Sequence, residues 1–221
     1  MKSTLATDFI DLKEIKEELS RRFPEASLPL SAAPPRRLRS CIEEVDTFLD
    51  GGLPFNGVTE FGMPLGKEGR LLLLQFLVNA TRGLDMDPIW TLWVSSHSDF
   101  RIFPPAWFAR GVAPSRIVFT QSEAPAHDLK RAIINPFFKL IVLDSPRHFS
   151  RDDCFFINTQ ARHNQQLILL LRNFFLSNKQ GNVWAKLRFN CWKQQNSGRF
   201  ILRTIRGLPR RQVAIDEGRL T

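Results

Sequence analysis

Residues 59–70 read Thr-Glu-Phe-Gly-Met-Pro-Leu-Gly-Lys-Glu-Gly-Arg, and this glycine-rich stretch decides the fold class. It follows an apolar strand predicted over residues 57–61 and precedes a helix predicted over residues 69–82. A glycine-rich turn between a strand and a helix is the setting of a phosphate-binding loop, where backbone amides and a helix N-terminus hold anionic groups. The stretch therefore predicts an α/β domain.

The residues around this loop alternate predicted strands and helices. A short helix is predicted over residues 42–49, before the loop. After it, strands are predicted over residues 89–94, 116–120, 140–143 and 167–171, and helical segments over 103–110, 123–133 and 151–163. The last two strands have no polar break, as expected for strands that are buried on both faces. This alternation predicts βαβ units and a mostly parallel sheet flanked by helices.

The pattern changes near residue 183. Residues 183–189 and 200–205 alternate apolar and polar side chains, and the polar residues 194–198 lie between them. This predicts an antiparallel β-hairpin at the edge of the sheet. One face of the hairpin would turn Leu187, Phe189, Phe200 and Leu202 to the core. The other face would turn Lys186, Arg188, Arg199 and Arg203 outward, which places several cations on one edge.

Outside this core the sequence predicts two extensions. Residues 1–37 form an amphipathic helix, over 8–22, followed by a linker that contains proline, and residues 208–221 form a basic tail expected to be mobile. The core domain is assigned to residues 38–207. The N-terminal helix either docks on a partner or a second copy of the chain, or packs against its own domain.

The positive charge is concentrated at the C-terminal end. The chain has 31 Lys and Arg against 22 Asp and Glu, and the last 50 residues hold 11 of the former and 2 of the latter. The whole net charge of +9 therefore lies after Leu171. Such a local field favours an anionic partner, either nucleic acid or an acidic protein face, or it belongs to a solvated basic tail.

The cysteines and the apolar runs indicate a cytoplasmic protein. Cys41, Cys154 and Cys191 are far apart and form no Cys/His cluster, so we expect no metal and three buried free thiols in a reducing compartment. The N-terminus is acidic and amphipathic, unlike a signal stretch. The chain has no apolar run of about 20 residues, which a membrane helix needs.

The glycine-rich loop departs from the pattern G-x-x-x-x-G-K-[ST] of a working P-loop. Gly66 and Lys67 follow Gly62 one residue early, and if a gap is allowed, Glu68 falls where a hydroxyl should hold Mg²⁺. Without a gap, Glu68 replaces the lysine. Either way a carboxylate would face triphosphate across ~4 Å, a repulsion of several kcal/mol. Pro64 also removes one N–H donor from the loop.

We therefore expect no cofactor, and weak or no binding of ATP and Mg²⁺. The degenerate loop comprises Gly62, Gly66, Lys67, Glu68, Gly69 and Arg70. The alternative is that Lys67 and Arg70 still hold an anion at this helix end. The strand over residues 138–144 is apolar and ends in Asp144, the form of a Walker B motif, whose aspartate orients Mg²⁺ through water. Alternatively, Asp144 only caps a helix.

Three further stretches carry a family resemblance. Residues 42–57 (IEEVDTFLDGGLPFNG) resemble the entry helix of RecA-like domains, and residues 58–62 resemble the strand before their P-loop. Residues 103–119 (FPPAWFARGVAPSRIVF) resemble a segment of the ImuA family, the RecA-like members of bacterial mutagenesis cassettes. With the Asp144 strand and the late hairpin, the resemblance covers residues 38–207.

This resemblance implies a RecA-like fold that has kept its architecture and lost its chemistry. The glutamate that activates water in RecA-like ATPases is replaced by Ser95-Ser96-His97; His97 is either a substitute base or an ordinary loop residue. The family acts in SOS-induced translesion DNA synthesis. The implied partners are an ImuB-like protein, an error-prone replicative-type polymerase and RecA, and DNA is a further candidate partner.

Four functions fit the sequence. The expected one is a non-catalytic RecA-fold adaptor in mutagenic lesion bypass. The alternatives are a divergent DNA-dependent ATPase, a SulA-like inhibitor of cell division, and a single-stranded DNA binder that stacks bases on Trp184, Trp192 or Phe200. The residues expected to contact DNA or a partner are Lys186, Arg188, Trp192, Lys193, Arg199, Arg203, Arg206, Arg210 and Arg211.

Overall fold

The computed structural model describes Arg21, residues 36–96 and residues 102–220. The chain divides into two units, residues 1–35 and 36–221. Apart from Arg21, the helix expected over residues 8–22 lies outside the described residues, as do the linker over 24–35 and His97.

The elements of the second unit follow the alternation expected from the sequence. The first half contains β1 (Arg37–Leu38), α1 (Glu43–Phe48), β2 (Leu53–Pro54), β3 (Gly57–Gly62), α2 (Arg70–Arg82), β4 (Trp90–Ser95), α3 (Pro104–Ala109) and β5 (Ile117–Gln121). The second half contains α4 (Pro125–Asp128), α5 (Lys130–Ile134), β6 (Phe138–Asp144), α6 (Arg151–His163), β7 (Leu167–Arg172), β8 (Leu187–Lys193), β9 (Arg199–Arg206) and β10 (Gln212–Asp216). The single helix expected over residues 123–133 is two short helices, α4 and α5.

Eight strands form one mixed sheet in the order β10-β9-β8-β3-β7-β6-β4-β5. Strands β8, β3, β7, β6, β4 and β5 are parallel to one another. Strand β9 pairs antiparallel with β8, and β10 pairs antiparallel with β9. Strands β1 and β2 form a separate antiparallel pair. The predicted α/β class, with a mostly parallel sheet and a C-terminal antiparallel hairpin, is confirmed.

The core lies on both faces of the central strands. On one face α2 packs over the sheet through a cluster that includes Leu72, Phe76 and Phe61. On the other face α6 contributes Ile157 and Ala161 to a second cluster. Strands β6 and β7 therefore bury side chains in both directions, which explains why their sequences have no polar break.

The hairpin begins later than expected, because residues 182–186 form a turn. The side chain of Asn182 accepts a hydrogen bond from the Trp184 amide (2.9 Å), and its carbonyl accepts one from the Ala185 amide (3.2 Å). Strand β8 therefore starts at Leu187. The four side chains expected in the core, Leu187, Phe189, Phe200 and Leu202, are all buried.

The prediction of a mobile tail over residues 208–221 is wrong, because this segment contains strand β10. Residues 212–216 pair with β9, and Ile215 is buried in the core cluster together with Leu220. Val213 and Ile215 are two residues apart and therefore share one side of this short segment, which packs against the core and adds a strand. At this side of the sheet the edge strand is therefore β10, and the β8–β9 hairpin lies inside it.

The three cysteines differ in their exposure. All three cysteines are free; Cys154 and Cys191 are buried as expected, whereas Cys41 is exposed, so the expectation of a third buried thiol is wrong. Cys41 lies in the left-handed region (φ 62°) just before α1, where the chain turns at the surface.

Within residues 36–96 and 102–220, no helix combines the length and the apolar character that crossing a membrane requires.

Candidate functional site

The degenerate loop is a tight turn between β3 and α2. The Lys67 amide donates to the Pro64 carbonyl (3.2 Å), and Gly66 and Glu68 take positive φ values of 75° and 54°. The far side of the loop lies against β8, since the Lys193 amide donates to the Lys67 carbonyl (2.8 Å). A Cβ atom at Gly69 would collide with the carbonyl of Cys191, so this position requires glycine.

Arg70, the first residue of α2, joins the loop to the Walker B-like aspartate. Its guanidinium Nη2 lies 2.7 Å from Asp144 Oδ1, and Nε lies 3.2 Å from both carboxylate oxygens. The same group donates to the Met63 carbonyl (2.9 Å) and to Ser145 Oγ (3.0 Å). Asp144 is 1% exposed and Arg70 is 17% exposed in their side chains. This is a charge-assisted fork at the point where β3 and β6 end.

The fork decides what this end of the sheet can bind. In a P-loop site the aspartate orients a hydrated Mg²⁺ beside the phosphates. Here both oxygens of Asp144 accept from a guanidinium, and that fixed positive charge would repel a divalent cation. Arg70 would have to withdraw before a magnesium ion could approach.

Of the other motif residues, Gly66, Glu68 and Gly69 line one cavity with Asp144, whereas Lys67 does not. Lys67 is half-buried and lines a different groove, with Phe175, Asn190, Trp192 and Arg203. Glu68 is exposed and pairs with Lys193 Nζ (3.1 Å), which also pairs with Glu217 (2.7 Å). The Glu217 and Glu68 carboxylates raise the pKa of Lys193. Glu68 thus occupies the expected position at the helix start, but its side chain ties the loop to the hairpin.

A cavity of about 320 Å³ lies beside the loop and is mainly apolar. Its apolar walls come from Leu65, Leu71, Leu74 and Trp107, and Asp144, which also lines it, is paired with Arg70. The loop residues Gly66, Glu68, Gly69 and Arg70 also line it. A triphosphate needs backbone donors and cations around it. Arg70 is the one cation among the described residues that line the cavity and is already paired with Asp144, and Glu68 adds a carboxylate, so the charges of this cavity do not favour a triphosphate.

The residues that replace the catalytic glutamate lie near Asp144. Ser95 ends β4 next to Asp144 in the register of β6, and the Ser96 amide donates to the Asp144 carbonyl (3.1 Å). The hydroxyl of Ser96 donates to the carbonyl of Ser122. This position therefore holds neutral hydroxyl groups, and the question of His97 as a base stays a prediction.

A buried ion cluster, which was not predicted from the sequence, joins β3, β7 and β8 beside the strand that ends in Asp144. Glu60 in β3 is 0% exposed and bonds Arg172 Nε (3.0 Å) and Arg188 Nε (3.0 Å). It also accepts from the Asn182 amide (2.7 Å), and Arg188 donates to the carbonyls of Ser177 and Gln180. The cluster fixes the connection between β7 and β8. The signal was present: an acidic residue within an otherwise buried strand requires a cationic partner.

Because of this cluster, the prediction that Arg188 is a surface contact residue is wrong. Arg188 was expected to face outward, but it is buried, because Glu60 in the adjacent strand holds its guanidinium inside the sheet. Lys186 is only half-buried: its ammonium group donates to Asn56, and burial lowers its pKa. Neither side chain contributes a free cation to the surface.

The other expected contact residues differ in how well their charge is compensated. Lys193 pairs with two carboxylates, Arg199 pairs with Asp216 (2.9 Å) and Arg210 lies near Asp50 (3.8 Å). The described partners of Arg203 are the Gln212 amide and the Trp192 ring, and Arg206 donates to the Val183 carbonyl. Arg211 is exposed. Trp192 is half-buried, whereas Phe200 is a core residue.

The fold and the site together define an α/β domain with a phosphate-type loop whose inner side is closed by the Arg70–Asp144 pair. No protein-family model matches the sequence, and a search of curated proteins finds no match either. The resemblance to RecA-like proteins and to ImuA therefore remains a prediction from the sequence.

Proposed function

We propose that this chain is a non-catalytic adaptor of the RecA-like type, which binds partner proteins and DNA in SOS-induced translesion synthesis. The observation that carries the proposal is the Arg70–Asp144 ion pair, with Nη2 and Oδ1 at 2.7 Å. The pair engages Asp144, the acidic residue that matches the Walker B motif of an ATPase. Because Asp144 is then not available to magnesium, we infer that the fold serves binding rather than catalysis.

The charge distribution supports a binding role. Arg203, Arg206 and Arg211 are exposed on or beside β9, and the described contacts of the first two are with neutral groups. Exposed positive charge of this kind attracts nucleic acid or an acidic protein face. The sequence resemblance adds the expected protein partners: an ImuB-like protein, an error-prone replicative-type polymerase and RecA.

The competing function is a divergent DNA-dependent ATPase, since Asp144 is retained. Phosphate release from ATP should be measured with and without single-stranded DNA. The adaptor hypothesis predicts no release above the protein-free blank in either condition. Release that single-stranded DNA stimulates, and that Asp144→Asn abolishes in a folded protein, would establish the ATPase instead.

The cellular role requires a genetic test. Deleting the gene in the source organism should lower the frequency of damage-induced mutations, and the wild-type gene should restore it. Asp144→Asn should also restore it, provided that thermal unfolding shows a folded protein, because the proposed role uses no magnesium. Undiminished induced mutagenesis in the deletion strain would contradict the proposal.

A further inference from the structure

One face of the β8–β9 hairpin turns away from the main core cluster. Asn190 and Trp192 alternate with the buried Cys191 along β8, and Arg203 in β9 lies directly opposite Asn190 in the register. These side chains, together with Lys67 and Phe175, line a groove of about 440 Å³. Pockets that hold small ligands span roughly 300–1,000 Å³, so the groove has room for one nucleotide-sized group.

The aromatic part of this groove is held in place by its neighbours. The rings of Trp192 and Phe175 meet edge to face, with centroids 5.6 Å apart at 82°. The Arg203 guanidinium lies 5.2 Å from the Trp192 ring centroid. Asn190 binds both backbone groups of Leu176 (2.7 and 3.0 Å), which fixes the segment that carries Phe175. Phe175 remains 45% exposed.

The groove is also positively charged. Lys67 and Arg203 lie in its walls, and of the residues described, no carboxylate lines it. Neighbouring cations are different: Lys193 and Arg199 are matched by the carboxylates of Glu68, Glu217 and Asp216. Lys67 and Arg203 thus place positive charge directly beside the accessible aromatic surface.

This combination favours one kind of ligand. Single-stranded nucleic acid offers a flat base and an adjacent phosphate, whereas a duplex keeps its base faces stacked inside. An acidic protein segment would satisfy the cations but would gain little from Trp192 and Phe175.

From this geometry, and resting on the DNA contact in the proposed function, we infer that the groove binds single-stranded nucleic acid. A base stacks on the aromatic surface of Trp192 and Phe175, and Lys67 and Arg203 contact the flanking phosphates. The groove lies on the hairpin side of the loop, away from the Arg70–Asp144 pair, so this binding requires no nucleotide in the loop.

The test measures fluorescence anisotropy of a labelled oligothymidylate at low salt with the full chain. Trp192→Ala should weaken binding about tenfold, the loss expected when one stacking platform is removed. Arg203→Ala should also weaken it and reduce the slope of log K against log [salt] by about 1, as expected for one phosphate contact.

Two matched controls make the result specific. Trp90→Ala removes another half-buried tryptophan that has an arginine over its ring, Arg116 at 5.5 Å, but lies outside the groove. Arg147→Ala removes another exposed arginine, which already pairs with Glu123 and lies outside the groove. Both controls should leave the affinity within about twofold of wild type, because neither residue lines the groove.

Three outcomes would overturn the inference. The first is unchanged affinity in both Trp192→Ala and Arg203→Ala. The second is a larger loss in Trp90→Ala than in Trp192→Ala, which would place the strand elsewhere. The third is no binding of the oligonucleotide by wild type, which would favour an acidic protein segment as the ligand. ATP turnover would refute the proposed function without affecting this assay, so the two failures are distinguishable.

Discussion

Arg70→Ala should destabilise the domain by about 3 kcal/mol, because it leaves a buried carboxylate without its partner. Asp144 is 1% exposed, and Arg70 supplies three contacts to its two oxygens. Breaking a buried ion pair from one side costs about 3–5 kcal/mol. Arg70 itself is 17% exposed, so water can enter the vacated space, which favours the lower end of that range.

The assay is equilibrium unfolding in urea followed by far-UV circular dichroism. With an m value of about 2 kcal/mol/M, the loss corresponds to a midpoint lower by about 1.5 M. The matched control is Arg199→Ala, which breaks an exposed pair and should cost under about 1 kcal/mol. The same midpoint shift in both variants would refute the argument.

A double-mutant cycle isolates the ion pair from lost packing. Asp144→Asn should cost only about 1 kcal/mol, because the remaining guanidinium can turn towards solvent. In the double variant Arg70→Ala/Asp144→Asn the carboxylate is gone, so the two costs should fall short of additivity by about 1.5 kcal/mol or more. Strict additivity would show that Arg70 and Asp144 do not act as a pair.

Three further predictions follow from other parts of the fold. Glu60→Gln should lower the free energy of unfolding by about 3 kcal/mol, since two partly or fully buried arginines lose their counter-ion; a urea midpoint within error of wild type would contradict this. Ser150→Ala should cost about 1 kcal/mol in a thermal melt, because it removes the capping box of α6, in which the Asp153 amide donates to the serine hydroxyl (3.1 Å). In the native protein only Cys41 should react with a thiol reagent: burial raises the pKa of Cys154 to about 11 and that of Cys191 to about 12, and neither thiol is accessible. Partial burial also raises the pKa of Cys41, so its labelling rate should increase with pH up to and beyond 9.0; three equally fast thiols would count against the fold.

The fold class could be predicted from local patterns, because the order of apolar and polar residues in each helix or strand depends on which of its faces are buried. The apolar runs of β6 and β7 and the alternation in β9 depend on neighbouring residues in the sequence, so they were visible without the structure. Residues 208–221 were predicted to be a mobile tail because Pro209, Arg210 and Arg211 outweighed the two apolar residues Val213 and Ile215, which lie on one side of β10.

The site was less predictable because it depends on pairs distant in sequence. Arg70 and Asp144 are 74 residues apart, and nothing in the periodicity of either segment signals the other. Arg188 was placed on the surface by strand alternation, but Glu60, 128 residues earlier, holds it inside. Alternation predicts the face of a strand, whereas a buried counter-ion on an adjacent strand can override it.

Isothermal titration of the protein with ATP and Mg²⁺ is the most direct test of the account. With Arg70 paired to Asp144 and Lys67 in a separate groove, we expect no saturable heat at millimolar nucleotide, with or without the metal. Saturable binding in the micromolar range that disappears when Mg²⁺ is chelated would contradict the account. It would show that the Arg70–Asp144 ion pair breaks and that the domain binds nucleotide as an ATPase does.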